Sequence, residues 1–300
     1  MTLDLYKAEG GAALPPFSPN EKLSDPVLYS PSEALRNAVN VALMLGQPLL
    51  VTGEPGTGKT QLAFHIAHFF RLGAPLVFVA QTTSQARDLF YSYDALGHFQ
   101  YNQNHAEALD SDGLEARFIR YNALGEAIRQ NRRMVVLIDE VDKAPRDLPN
   151  DILSAIENLS FHVPEINRRF EAKDSNRPII VITSNSEKNL PDAFMRRVVY
   201  HHIAFPTADE LLLILSRKAE NVLIADLERL ISHFHEIRNL RLRKPPSTAE
   251  LIYWVFLLQK IRFPLQKVGR PLSFRERGML LSSYSVLAKN KEDLELLHNL

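Results

Sequence analysis

Short, nearly unbroken apolar runs punctuate the first two-thirds of the chain: Pro48-Leu49-Leu50-Val51-Thr52, Pro75 to Ala80, Met134 to Ile138, and Pro178 to Thr183. Runs of this length without alternation are the pattern of strands covered on both faces, as in a parallel sheet. Val198 to Phe205 reads as a fifth strand. Between the runs, apolar residues recur at helical spacing over Ala34–Leu45, Gln61–Phe70, Gly113–Gln130, Leu148–Leu159 and, briefly, Leu190–Arg197. The first of these helices is announced by Ser30-Pro31-Ser32-Glu33, with a capping serine, a first-turn proline and a glutamate three residues after the cap. Strands alternating with helices predict an α/β fold built on a parallel sheet. From Pro206 onwards the period is helical only. Thr207-Ala208-Asp209-Glu210, Ser247-Thr248-Ala249-Glu250 and Ser273-Phe274-Arg275-Glu276 open three helices, and another runs from Val222 to Ile237. The expected organisation is therefore an N-terminal extension or strap over 1–24, an α/β domain over 25–205 and an all-α domain over 206–300. Gln81 to Asn104 is too irregular for one element, and Phe161–Ile166 followed by a basic turn, Arg168-Arg169, resembles a hairpin. There is no internal repeat and no low-complexity tract.

Composition narrows the classes without choosing among them. Hydrophobic residues make up 45% and charged residues 23%, as in an ordinary globular chain. The 35 basic and 35 acidic residues cancel, so no bulk field draws the chain to nucleic acid. Without cysteine, disulfides, thiolate metal sites and cysteine catalysis are excluded. No apolar run approaches the ~18 residues of a membrane span, and no basic-then-apolar leader opens the sequence, so a cytoplasmic protein with no membrane partner is expected.

The chemistry concentrates at Gly53-Glu54-Pro55-Gly56-Thr57-Gly58-Lys59-Thr60, which satisfies G-x-x-x-x-G-K-[ST] between a strand and a helix that begins near Gln61. Glycines let backbone N–H groups curl around phosphate oxygens, Lys59 supplies charge at the β- and γ-phosphates, and the Thr60 hydroxyl can ligate Mg²⁺. A nucleoside triphosphate is the implied ligand. Met134 to Ile138 ends in Asp139-Glu140. There Asp139 would hold Mg²⁺ through water and Glu140 would polarise the attacking water, unless Asp139 merely caps the following turn. The fourth strand ends in Thr183-Ser184-Asn185. Asn185 is either a γ-phosphate or water ligand or a turn residue. Right-handed crossovers between parallel strands would bring Thr60, Asp139, Glu140 and Asn185 to one rim. His65, His68, His201, His202, His233 and His235 lack zinc-ligand company and read as packing or solvent residues.

Taken together, Gly53–Thr60, Leu137–Asp142, Thr183–Asn185, Arg196-Arg197 and the helical C-terminal part resemble an AAA+ ATPase. More narrowly, they resemble the MoxR branch of the helix-2-insert group, over about residues 25–260. The resemblance implies a sheet of order 5-1-4-3-2 and a helical lid. It makes Gly53 to Gln61 the ATP-binding segment, with Thr60 and Asp139 at Mg²⁺, Glu140 catalytic and Asn185 as sensor 1. Arg197, or else Arg196, becomes an arginine finger reaching a neighbouring subunit's ATP. That finger implies a ring homo-oligomer, a hexamer, acting on a protein client, with a von Willebrand factor A-domain protein as a further partner. Phe90–Tyr93 and Phe161–Ile166 resemble the family's two insertions. The lid's usual sensor 2 arginine is missing from Lys244-Pro245-Pro246-Ser247-Thr248, which leaves Arg241, Arg243 or Lys244 as substitutes. Competing readings are a nucleic-acid-associated P-loop NTPase and a nucleotide-gated scaffold with little turnover.

Overall fold

A computed structural model of the chain describes residues 6, 22, 24–105, 107–130, 132–186 and 190–300. The extension expected over 1–24 lies almost wholly outside the described residues. The described residues form two compact units: a sheet unit within 31–53 and 59–203, and a helical unit of the described residues up to Ser30, Glu54–Gly58 and Ala204–Leu300.

The sheet unit is built on five parallel strands. In chain order these are β1 (Leu49–Gly53), β2 (Leu76–Val79), β5 (Val135–Asp139), β8 (Ile179–Ser184) and β9 (Val199–Ile203), arranged β2-β5-β8-β1-β9. Counting only these five, that is the order 5-1-4-3-2 read from the other edge. The central strands explain their sequences: β1 is buried at every position, β5 up to Ile138, and β8 from Ile180 on. Burying each such Val, Leu or Ile side chain contributes about 1.5–3 kcal/mol. The edge strand β2 leaves Val77 and Val79 exposed, so its apolar run is covered on one face only.

Helices α1 (Glu33–Leu45), α2 (Lys59–Phe69) and α6 (Leu148–Asn158) belong to this unit. Ser32 caps α1 by accepting from the Leu35 N–H, and Gly46 ends it in the left-handed region at φ 62°. The interval after β2 departs from expectation. Gly113 to Gln130 is not one helix but α4 (Ser111–Phe118), strand β4 (Ile119–Tyr121) and α5 (Ala123–Arg129). Ile119-Arg120-Tyr121 alternates, and it pairs antiparallel with β3 (Tyr91–Tyr93), a long-range partner that the local helical stripe cannot reveal. Helix α3 (Ala95–Asn104) and α4 lie between the two strands. The expected hairpin is β6 (Ser160–Val163) with β7 (Arg168–Glu171), but Arg168 and Arg169 lie in its second strand and the turn is made by Pro164–Asn167.

These two excursions pack on each other. Phe161 stacks on Phe90 at 4.9 Å and on Phe170 at 5.1 Å, and Tyr121 meets Phe170 edge-on at 5.4 Å. Arg168 pairs with Asp112 and Glu115, the Tyr91 hydroxyl donates to Glu165 at 3.1 Å, and the Tyr121 hydroxyl donates to Glu115 at 2.7 Å.

The helical unit contains α8 (Ala208–Lys218), α9 (Ile224–Asn239), α10 (Thr248–Lys260), α11 (Phe274–Ser283) and α12 (Lys291–His298). Capping boxes at Thr207/Glu210, Ser247/Glu250 and Ser273/Glu276 start α8, α10 and α11. Its core includes Leu211, Leu215, Leu230, Phe234, Trp254, Leu258 and Tyr284. Asp293 on α12 accepts from the backbone N–H groups of Arg243 and Lys244 at 2.8 and 3.1 Å, tying down the loop before α10. No helix of the described residues is long and apolar enough to cross a membrane.

Candidate functional site

Within the sheet unit, β1 ends at Gly53 and α2 begins at Lys59. The Lys59 side chain is buried, and its ammonium donates to the Gly53 carbonyl at 2.8 Å. A lysine at a helix N-terminus places two positive features together, an arrangement favourable only towards an anion. Thr60, the next residue, points its hydroxyl at the Asp139 carboxylate, 3.2 Å from each oxygen.

Asp139 arrives there because β5 and β8 are neighbours in register, Ile138 opposite Ile182. One position further, the buried Thr183 hydroxyl donates to Asp139 and accepts from the Glu140 N–H at 3.0 Å. Beyond it, the Asn185 N–H donates to Asp142 at 3.1 Å. The residues 60, 139, 140 and 185 singled out in the sequence therefore gather at the carboxyl ends of adjacent strands. Glu140 itself sits in the left-handed region at φ 57°, and its carboxylate pairs with Lys143 at 2.6 Å.

Hard oxygen donors suit Mg²⁺, which needs only one or two protein ligands when substrate phosphates and waters complete its shell. Thr60 and Asp139, facing each other at 3.2 Å, fit that requirement. Among the described residues no group of three or more His, Asp or Glu side chains could hold a metal ion.

Glu54–Gly58, the middle of the glycine-rich loop, belongs to the helical unit. The Glu54 carbonyl accepts from the Thr57 hydroxyl at 2.8 Å. Gly56 and Gly58 have φ of 76° and 89°, conformations that L side chains rarely adopt. A Cβ on Gly56 would also lie 2.4 Å from the Ser247 hydroxyl. The Glu54 carboxylate pairs with Arg238 at 3.0 Å. Arg238 also donates to the Pro246 carbonyl and lies over the Phe205 ring, 3.6 Å from its centre. Arg238 was not singled out in the sequence, where it is one more basic residue in a helix's last turn. Of the residues considered there, Arg243 instead pairs with Glu292 at 3.5 Å.

The paired arginines follow the short helix α7 (Asp192–Met195). Arg196 ends that helix through its backbone, and Arg197 lies 3.6 Å from Glu157 of α6, both side chains about half exposed. Neither arginine is joined to Asp139, Glu140 or Asn185 by a hydrogen bond or ion pair among the described residues.

Residues 48–198, just over half of the sequence, match the AAA domain (dynein-related subfamily). This chain belongs to the AAA family. No curated protein matches it in a sequence comparison. The matched span of this AAA protein runs from the residue before β1 to the residue before β9, so it takes in Lys59, Thr60, Asp139, Glu140, Asn185 and both arginines. The family implies nucleotide binding and ATPase activity in general.

Proposed function

We propose that this AAA protein is a Mg²⁺-dependent ATPase whose reaction runs at the carboxyl ends of β1, β5 and β8. The observation that carries the reading is the convergence of Thr60, Asp139, Glu140 and Asn185 beside Lys59 at the start of α2. Gly53 to Gln61 bind the triphosphate, with Lys59 against its terminal phosphates. Thr60 and Asp139 would hold Mg²⁺, which when bound neutralises charge developing on the phosphates. Glu140 accepts a proton from the attacking water as oxygen joins the γ-phosphorus and the bond to the β-phosphate oxygen breaks, giving ADP and phosphate. Asn185 orients that water or the γ-phosphate. The excursion between β3 and β4 and the β6–β7 hairpin support placement in the helix-2-insert group, MoxR-like. There Arg197 or Arg196 serves the neighbouring subunit's ATP in a ring, and the ring remodels a protein client with a von Willebrand factor A-domain protein as accessory.

Glu140→Gln is the direct test. It should bind ATP with wild-type affinity and lower phosphate release by about 10²–10⁴-fold, the usual contribution of a general base. In ATP it should also sediment as a closed oligomer. Wild-type turnover by Glu140→Gln would remove the catalytic assignment, and a monomer under those conditions would remove the ring.

A further inference from the structure

We propose that Lys143 and Thr183 are positioning residues for Glu140, holding its backbone and its carboxylate in the geometry that the proton transfer needs. The inference rests on the ATPase reading and assigns two residues that this reading leaves without a role.

The motivation is the backbone of Glu140. A left-handed conformation at φ 57° is uncommon for a glutamate and persists only where the surroundings fix it. Three contacts do so. From β8, the Thr183 hydroxyl accepts the Glu140 N–H at 3.0 Å while donating to Asp139, so one buried side chain sets both acids relative to each other. From the 3₁₀ turn after the strand, the Lys143 N–H donates to the Glu140 carbonyl at 2.9 Å. The Lys143 ammonium then reaches the Glu140 carboxylate at 2.6 Å.

That last contact engages only one carboxylate oxygen, Oε2. The other is left to accept a proton, and the carboxylate cannot swing freely on its χ angles. An exposed ion pair of this kind contributes little to folding, since solvent screens it and two long side chains must be ordered. Its value is orientation. Proton transfer needs the base within hydrogen-bond reach of the water, and small misplacements lower rates steeply.

The experiment compares steady-state ATP turnover of wild type, Lys143→Met, Lys143→Arg, Thr183→Val and Thr183→Ser, each alone and combined with Glu140→Gln. Lys143→Met and Thr183→Val should each lower kcat about 10- to 100-fold, the scale of a misplaced catalytic group, with KM for ATP within about twofold. Lys143→Arg and Thr183→Ser should recover most of the loss. In the Glu140→Gln background, Lys143→Met should change nothing, because a residue acting only through Glu140 has nothing left to position. Should Thr183→Val fail to fold, the solvent-exposed Lys143 pair of variants carries the test alone. Wild-type kcat in Lys143→Met would overturn the proposal. So would an equal further loss when Lys143→Met is added to Glu140→Gln. Failure of the ATPase reading looks different: wild type itself would release no phosphate, and Glu140→Gln would match it.

Discussion

His233 is buried in the helical unit, with Nε2 2.7 Å from the Tyr284 hydroxyl and its ring stacked on Trp254 at 6.0 Å. Burial pushes the imidazole below its ordinary range, against a weaker opposing pull from Glu236, whose carboxylate is 3.3 Å from Nδ1. The folded chain therefore resists a proton that the unfolded chain accepts below about pH 6.5, so this contribution to stability is present above that pH and is lost progressively as pH falls from there through the lower pKa of the folded state. Urea midpoints read from Trp254, the only tryptophan, should fall between about pH 7.5 and pH 5.5 more steeply in wild type than in His233→Gln. Equal slopes would show that His233 does not titrate with unfolding. At this scale the sequence is most readable where spacing is local. Gly53–Thr60 is a contiguous motif, and Asp139-Glu140 ends an apolar strand. Thr183 acquires its meaning only because β8 lies beside β5, and Arg238 only through Glu54, 184 positions away in the chain. No local pattern carries either.

Among the elements, α5 shows how a local rule can reverse its sign. Gly125 lies inside this helix, where alanine ordinarily improves helix propensity by about 1 kcal/mol. Here an added Cβ would fall 1.9 Å from the Phe90 carbonyl oxygen, because α5 packs directly on the backbone leading into β3. Gly125→Ala should therefore destabilise the sheet unit by about 1–3 kcal/mol, the usual range for overpacking, visible as a lower unfolding midpoint. A stabilised variant would mean that α5 does not approach Phe90 so closely. The same approach explains why Gly113–Gln130 looks like one helix in the sequence and is not. Leu114, Phe118, Tyr121, Leu124 and Ile128 fall at helical spacing, yet Tyr121 serves β4 and meets Phe161 and Phe170. Pairing with Tyr91–Tyr93 and aromatic packing outweigh the modest propensity for a continuous helix.

For the whole molecule, the alternation of apolar runs and helical stripes is enough to indicate a parallel sheet followed by helices, and the observed strand order follows the AAA+ expectation. Crossover rules leave few alternatives once the strands are found. The helical unit was readable through its capping serines and threonines; α12, capped by Asn290, was not, being only eight residues long. The functional account comes down to one electrostatic arrangement, a lysine at a helix N-terminus followed in the same turn by a threonine that meets an aspartate at the sheet rim. Isothermal titration of Mg²⁺-ATP into the purified chain tests it most directly. The account predicts saturable binding that Lys59→Ala weakens roughly 10- to 100-fold, the value of a hydrogen bond to a charged group. A folded wild-type chain that takes up no ATP, or binds it equally well without Lys59, would contradict it.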